Sequence, residues 1–110
     1  MRVEVRPSKV HGRGLFAARN FVSGELITKT PAVCVPRQEL PRGNVLWEYT
    51  FGHDETNWLI GLGAVSFINH NEHPNAEIIY NTATQEIFLT ATKPIREDDE
   101  IFIRYTEVWF

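Results

Sequence analysis

Cysteine, long apolar runs and an excess of positive charge are missing, or nearly so, from this sequence. Cys34 is the only cysteine in 110 residues, which excludes an intrachain disulfide framework and a cysteine-based zinc site. No apolar run approaches the roughly 20 residues that a membrane helix needs, and the first six residues lack the apolar core of a signal peptide. The net charge of -3 argues against a general nucleic-acid binder. We therefore expect a cytoplasmic protein, or a nuclear one in a eukaryotic host, with no membrane partner and no direct nucleic-acid partner.

The length and the aromatic content indicate one small globular domain. A chain of 110 residues is long enough for one domain and too short for two, so we expect a single domain over residues 1–110. Three Trp, three Tyr and seven Phe supply either a core of large side chains or the walls of a pocket.

Short apolar runs between turn residues predict a mostly β fold with little helix. Strands are expected at residues 2–6, 15–18, 25–29, 32–35, 77–80, 86–90 and 100–105. Pro31 separates two of these strands. Residues 45–51 predict one or two helical turns. Residues 58–64 predict irregular buried chain, because Gly61 and Gly63 would weaken a helix.

Three polar features stand out from this pattern. Gly12-Arg13-Gly14 permits positive φ and close approach of another group; a tight hairpin turn is the plain alternative, and no dinucleotide fingerprint is present. Asn69-His70 follows an apolar run at residues 64–68, which predicts a buried strand, and precedes a turn. Burying such groups without partners costs about 1–3 kcal/mol each, so the protein's own backbone or a ligand must hold them. Tyr105 shares strand parity with Ile101 and Ile103, which predicts that its ring lies inside. The acidic run at residues 96–100 predicts a solvated turn.

These features occur in the order in which the SET domain, the protein-lysine methyltransferase family, carries its motifs. The sequence resembles a minimal viral or bacterial SET protein over nearly its whole length. The resemblance implies a β-clip of short twisted sheets with a C-terminal pseudoknot. It also implies that S-adenosylmethionine binds on one face, that the target lysine enters a channel from the other face, and that no metal is needed.

The resemblance also assigns roles to residues. The cofactor-binding residues that it implies are Gly12, Arg13, Gly14, Asn69, His70 and Trp109, with Phe110 assisting. Asn69 would contact the cofactor through its side chain and His70 mainly through its backbone, while Trp109 would pack on the adenine. Tyr105 would be the catalytic residue at the methyl-transfer centre, and it would line the substrate channel with Tyr49 and Phe67.

The sequence differs from the common family pattern at several positions. Glu72 stands where a cysteine is common, Arg104 where an aspartate precedes the last tyrosine, and Ser66 where an arginine is usual. The cysteine-rich zinc segment that often follows is absent, and Tyr49 would replace a second channel tyrosine that is missing near residues 30–31.

The resemblance therefore predicts transfer of a methyl group from S-adenosylmethionine to a lysine amine of a protein or peptide substrate. A basic, histone-like protein is one possible substrate. One alternative is a SET-fold module that binds cofactor or a basic tail with weak or no turnover. Another is a metal site built from the four histidines, His11, His53, His70 and His73, which have no ligand spacing motif. The short chain leaves the oligomeric state open between a monomer and a homodimer that completes its pocket.

Overall fold

The computed structural model describes residues 2–41 and 43–105. Within them the chain forms short strands joined by turns, as predicted. The strands are β1 (Val3–Pro7), β2 (Arg13–Ala17), β3 (Leu26–Pro36), β4 (Thr50–Gly52), β5 (Asn57–Gly61), β6 (Asn69–His70), β7 (Ala76–Asn81), β8 (Glu86–Ala91) and β9 (Glu100–Ile103). The 3₁₀ turns are Arg37–Glu39, Val45–Tyr49 and Ala64–Phe67. None of the helical segments described is long and apolar enough to cross a membrane.

The first sheet brings together the predicted polar features. Its order is β1-β2-β9-β6, with β1, β2 and β9 antiparallel and β6 parallel to β9. Asn69 lies opposite Phe102 and His70 opposite Ile103 in the parallel pair. Segments that are far apart in the sequence thus become neighbours in one sheet. Ala64–Phe67 forms a 3₁₀ turn rather than the buried strand expected before Asn69.

The second sheet has the order β4-β5-β3-β8-β7 and includes the predicted hairpin of β7 and β8. The expected break at Pro31 is wrong, because β3 runs through it as one strand of 11 residues. Pro31 is the last residue paired with β8, and Ala32 is the first paired with β5. Proline lacks the N–H that a continuous ladder requires, and here it lies where the strand exchanges one neighbour for another.

The prediction of irregular chain at residues 58–64 is also wrong in its first half. Asn57–Gly61 is strand β5, which pairs with both β3 and β4. Trp58 and Leu59 are adjacent and both buried, so the alternation that identifies a half-buried strand is missing. Residues 45–49 form the short helical segment that was predicted, although as a 3₁₀ turn.

The hydrophobic core fills the space between the two sheets. Leu15 and Ile101 come from the first sheet, Ile27 and Leu89 from the second, and all four are fully buried. Each such side chain contributes about 1.5–3 kcal/mol by leaving water. This core fixes the first sheet against the second and leaves the β6–β9 edge, with its polar residues, at the surface.

Candidate active site

A cleft of about 700 Å³ opens beside the edge formed by β6 and β9. Its walls are the loop between β1 and β2, the 3₁₀ turn before β4, the segment that leads into β6, and Tyr105. The lining residues are Val10, His11, Gly12, Arg13, Trp47, Glu48, Tyr49, Thr50, Trp58, Ser66, Phe67, Ile68, Asn69, His70 and Tyr105. Ligand pockets in proteins typically measure about 300–1,000 Å³, so the cleft has the size of a small-molecule site.

Most of the residues singled out from the sequence meet at this cleft. The structure brings the following into its lining: Gly12, Arg13, Tyr49, Phe67, Asn69, His70 and Tyr105. Gly14 is buried behind the lining rather than in it. Trp109 and Phe110 lie outside the described residues, so their predicted contact with an adenine ring stays a prediction.

Asn69 is buried, and the protein's own groups hold its amide nitrogen. Asn69 Nδ2 donates to the backbone oxygens of His11 and Arg13, each at 3.1 Å, and to Glu100 Oε2 at 2.9 Å. Two hydrogens serve three acceptors, so one hydrogen is shared. Asn69 Oδ1 accepts from no donor among the described residues, and it is therefore the part of the amide that the site offers to a ligand.

The two ring nitrogens of His70 have different partners. Nδ1 accepts a hydrogen bond from the backbone N–H of Tyr105 at 2.8 Å. In the neutral ring the proton then resides on Nε2, which lies 3.2 Å from Glu72 Oε1 and donates to it. Both nitrogens are thus engaged within the protein, which leaves the backbone and the ring face of His70 for a ligand.

Tyr105 is held at both ends, but it does not lie in the core. Strand β9 ends at Ile103, and Tyr105 is 39% exposed, so the burial predicted from strand parity is wrong. Its hydroxyl donates to the backbone oxygen of Ile68 at 2.8 Å, and its backbone N–H donates to His70. The ring is consequently fixed in the wall of the cleft.

Tyr105 also lines a second cavity, of about 300 Å³. That cavity is bounded by Phe51, Gly52, His53, Leu59, Ile78, Tyr80, Ile103, Arg104 and Tyr105. Tyr105 is the one residue common to both linings as described, so it borders the cleft and this second cavity.

Aromatic side chains form the wall opposite the glycine-containing loop. Tyr49 and Phe67 meet edge to face with ring centroids 5.6 Å apart, and Arg13 lies over the Phe67 ring at 4.9 Å. Trp47 and Trp58 form a second edge-to-face pair at 5.5 Å. Such a wall is suited to a flat ring system and to an aliphatic chain.

Glu100, which supports the cleft from behind its lining, was missed in the sequence. Glu100 belongs to the run interpreted as a solvated turn. Residues 96–99 are exposed as predicted, but the Glu100 carboxylate turns inward and accepts from Ser8 Oγ at 2.8 Å and from Asn69. No local signal distinguishes Glu100 from its solvated neighbours, because its inward position depends on the pairing of β9 with β2.

The four histidines do not form the metal site that was considered. Among residues 2–41 and 43–105, no three His, Cys, Asp or Glu side chains are close enough to hold a metal ion. His53 instead packs edge to face on Tyr80, with ring centroids 5.1 Å apart.

Comparisons with known proteins agree with this geometry. A family model described as SET domain matches residues 12–106. The chain is 28% identical over 112 residues to the H3 lysine-37 specific histone-lysine N-methyltransferase of Schizosaccharomyces pombe, which covers 98% of this chain and 76% of that protein. It is 27% identical over 114 residues to histone-lysine N-methyltransferase 2B of Homo sapiens, which covers 94% of this chain and only 4% of that protein.

The solved structures lead to the same family. A candidate histone methyltransferase from Plasmodium falciparum superposes with a TM-score of 0.78 at 28% identity, over 98% of this chain and 96% of that chain. A humanized mutant of the Chaetomium thermophilum Polycomb Repressive Complex 2 bound to the inhibitor GSK126 gives a TM-score of 0.74 at 26% identity, over 94% of this chain and 15% of that one.

Proposed function

Because the chain belongs to the SET-domain family, we propose that it transfers a methyl group from S-adenosylmethionine to a lysine amine of a protein. The observation that carries the proposal is that Tyr105 lines both the cleft and the second cavity. A group-transfer enzyme needs its two substrates to approach one point from different sides. Tyr105 marks that point.

The cleft has the donors, acceptors and apolar surface that S-adenosylmethionine requires. The aromatic wall suits the adenine and the carbons attached to the sulfonium, and Asn69 Oδ1 is available to an ammonium or amine N–H. Gly12 and Arg13 line the cleft, and the absence of a Cβ at Gly12 lets a ligand approach the backbone there. When bound, S-adenosylmethionine supplies an electrophilic methyl group on a sulfonium.

The residues of this chain supply alignment rather than acid or base chemistry. The hydroxyl proton of Tyr105 is committed to Ile68, so the phenol oxygen acts as an acceptor towards the reacting centre. Both the hydroxyl and the backbone of Tyr105 are pinned, and holding reactants in line can lower a barrier by about 7–11 kcal/mol.

The second cavity has a mixed lining, in which apolar side chains and the positive charge of Arg104 both disfavour a charged amine. A free lysine has a pKa of about 10.4, and desolvation disfavours its charged form. Phe51, Leu59 and Ile78 line this cavity, so a lysine side chain that enters it loses water before it reaches Tyr105. This desolvation, rather than a dedicated base, accounts for the deprotonated amine.

The substrate class follows from the family and from the net charge. The relatives named above are histone methyltransferases by name, and a chain with a net charge of -3 attracts basic partners. The proposed substrate is therefore a lysine in a basic, histone-like protein tail.

Incubation with labelled S-adenosylmethionine tests the proposal. Purified core histones and lysine-containing histone-tail peptides are the substrates, and peptides with Arg in place of each Lys are the matched controls. We expect a mass increase on the lysine peptides alone. Label on neither set, from a preparation shown to bind the cofactor, would contradict the proposed turnover.

A further inference from the structure

The Glu100 carboxylate lies behind the lining of the cleft and accepts hydrogen bonds from two polar segments, the loop after β1 and strand β6. Glu100 Oε1 and Oε2 accept from Ser8 Oγ at 2.8 and 3.0 Å, and Oε2 accepts from Asn69 Nδ2 at 2.9 Å. Ser8 belongs to the loop between β1 and β2, and Asn69 belongs to β6. Residues 8–14 are called the glycine loop below.

Each donor to Glu100 organises a different part of the glycine loop. Ser8 Oγ, while donating to Glu100, accepts from the backbone N–H of Val10 at 3.0 Å. Asn69 Nδ2 donates to Glu100 and to the backbone oxygens of His11 and Arg13. The two branches therefore start at one carboxylate and end on the stretch of backbone that lines the cleft.

The space around Gly14 shows how closely the carboxylate is seated. A Cβ on Gly14 would lie 2.9 Å from Glu100 Cδ and 3.1 Å from Asn69 Nδ2, and nearer still to Glu100 Oε2. By contrast, a Cβ on Gly12 would meet nothing within 4 Å. Gly14 is therefore required by Glu100 and not by a ligand, since it lies behind the lining of the cleft.

The backbone of Glu100 is itself fixed. Asn75 Nδ2 donates to the backbone oxygen of Glu100 at 3.0 Å, and Asn75 Oδ1 accepts from the N–H of Phe102 at 2.8 Å. No Lys, Arg or His within the described ranges pairs with the Glu100 carboxylate, so the hydroxyl of Ser8 and the amide of Asn69 are its identified partners.

We propose that Glu100 is a positioning residue that holds the glycine loop and Asn69 in the single arrangement that receives S-adenosylmethionine. The inference rests on the proposed function for the identity of the ligand. A carboxylate accepts from both donors at once. The amide of Glu100→Gln keeps the size of the side chain but turns one acceptor into a donor, which faces either Ser8 or Asn69.

The first test needs no ligand. In ¹⁵N-labelled protein, Glu100→Gln is expected to shift the side-chain amide resonances of Asn69. It should also lower the backbone order parameters of residues 10–13 from about 0.85 towards about 0.6. Ser8→Ala, which removes one branch, should give a smaller change in the same direction. Glu97→Gln, an exposed carboxylate of the same run, is the matched control and should change neither quantity.

The second test measures the affinity for S-adenosylmethionine by calorimetric titration well below the melting temperature. We expect the dissociation constant to rise at least about tenfold in Glu100→Gln, which corresponds to about 1.4 kcal/mol, and less in Ser8→Ala. Turnover at saturating cofactor should be largely retained, since Glu100 does not line the cleft.

Two results would overturn the inference. The first is that a folded Glu100→Gln protein keeps the order parameters and the Asn69 resonances of the wild type. The second is that Glu100→Gln has a lowered melting temperature but the same cofactor affinity as Glu97→Gln. If the wild-type protein binds no S-adenosylmethionine, the proposed function fails, whereas the relaxation measurements still decide whether Glu100 orders the loop. If Glu100→Gln does not fold, Ser8→Ala supplies the same two readouts.

Discussion

Glu72 and Arg104 form an ion pair, with Arg104 Nε 3.6 Å from Glu72 Oε2. Both stand at positions where the sequence differs from the common SET pattern, and they face each other with opposite charges. Glu72 also accepts from His70 Nε2, whose other nitrogen accepts from the backbone of Tyr105. Glu72 thus contacts both Arg104 and His70, so the two positions that differ from the SET pattern belong to one local arrangement beside Tyr105.

Replacing Glu72 with Gln is expected to remove part of the acid sensitivity of folding. The hydrogen bond with His70 and then the charge of Arg104 lower the pKa of Glu72 from its ordinary value of 4.5. A carboxyl with a lowered folded-state pKa contributes its full stabilisation above the unfolded pKa and loses it as the pH falls through the folded pKa. The wild type should therefore exceed Glu72→Gln in stability by a constant amount at neutral pH, and by less below about pH 4.5.

Urea unfolding between about pH 3 and about pH 7 measures this difference. Glu77→Gln, which replaces an exposed carboxylate on β7, is the control. The effect should be small, because the side chains of Glu72 and Arg104 are 68% and 60% exposed. A difference that does not change with pH would contradict the role given to Glu72.

Alanine at the two glycines of the loop is expected to act by different routes. Gly12 has a φ of +47°, so Gly12→Ala should cost about 1–2 kcal/mol of backbone strain without a clash. Gly14→Ala should cost about 1–3 kcal/mol through overpacking against Glu100 and Asn69. Denaturant unfolding together with the Asn69 side-chain resonances separates them: only Gly14→Ala should shift those resonances. The reverse pattern would mean that Glu100 has room to move.

The sequence predicts those parts of the fold in which apolar residues alternate or turns are well marked. The hairpin of β7 and β8 and the strand after the glycine loop were predicted for this reason. Strand β5 was missed because Trp58 and Leu59 are both buried between neighbours, and the continuity of β3 was missed because a ladder can change partner at Pro31. Both depend on which strands become neighbours, and local pattern does not contain that information.

The residues of the candidate site could likewise be predicted only in part from the sequence. Asn69, His70 and Tyr105 could be selected because polar residues stood out against apolar runs. Glu100 could not, since one inward carboxylate in an acidic run resembles its solvated neighbours until the β2–β9 register is known. The exposure of Tyr105 was likewise set by the end of β9 at Ile103, which strand parity does not show.

Asn69→Ala is expected to abolish most of the stabilisation by cofactor. A ligand that binds only the folded state stabilises it by about 2.7 kcal/mol at about 100 times its dissociation constant, so S-adenosylmethionine should raise the melting temperature of the wild type. Asn69→Ala removes Oδ1 and the donors to the glycine loop, and it should also lower the ligand-free stability by about 1–3 kcal/mol.

Differential scanning fluorimetry with and without cofactor measures both effects. Asn81→Ala, at the end of β7, is the matched control, since its amide oxygen accepts from the backbone N–H groups of Ala83 and Thr84 and it belongs to neither cavity lining as described. An equal cofactor shift in Asn69→Ala and Asn81→Ala would show that the Asn69 side chain does not take part in binding.

Turnover is expected to rise with pH between neutrality and mild alkalinity. The lysine must react as the neutral amine, and its free pKa of about 10.4 means that little of it is neutral at pH 7. If the amine enters the second cavity as proposed, desolvation lowers its pKa, and the neutral fraction still increases as the pH rises. Single-turnover rates across this pH range provide the measurement. A flat profile with methyl transfer shown to be rate-limiting would require another route of deprotonation.

Tyr105→Phe is expected to separate catalysis from folding. The substitution keeps the ring and its packing on His70, where the centroids are 5.2 Å apart, and removes only the hydroxyl that donates to Ile68. The fold should lose about 1 kcal/mol for one hydrogen bond, and cofactor affinity should change little, because the hydroxyl faces the reacting centre. Turnover should fall steeply, about 10²-fold or more, since the oxygen sets the geometry of the methyl group and the amine.

Melting temperature, cofactor affinity and methylation rate must be measured on the same preparation of Tyr105→Phe. A merely structural tyrosine would give the opposite pattern, with lower stability and nearly unchanged activity in the folded fraction. The position of Tyr105 in the linings of both cavities makes that outcome decisive. If a folded, cofactor-bound Tyr105→Phe protein methylates at the wild-type rate, the transfer does not take place at this residue. The cofactor and the lysine must then meet at another position.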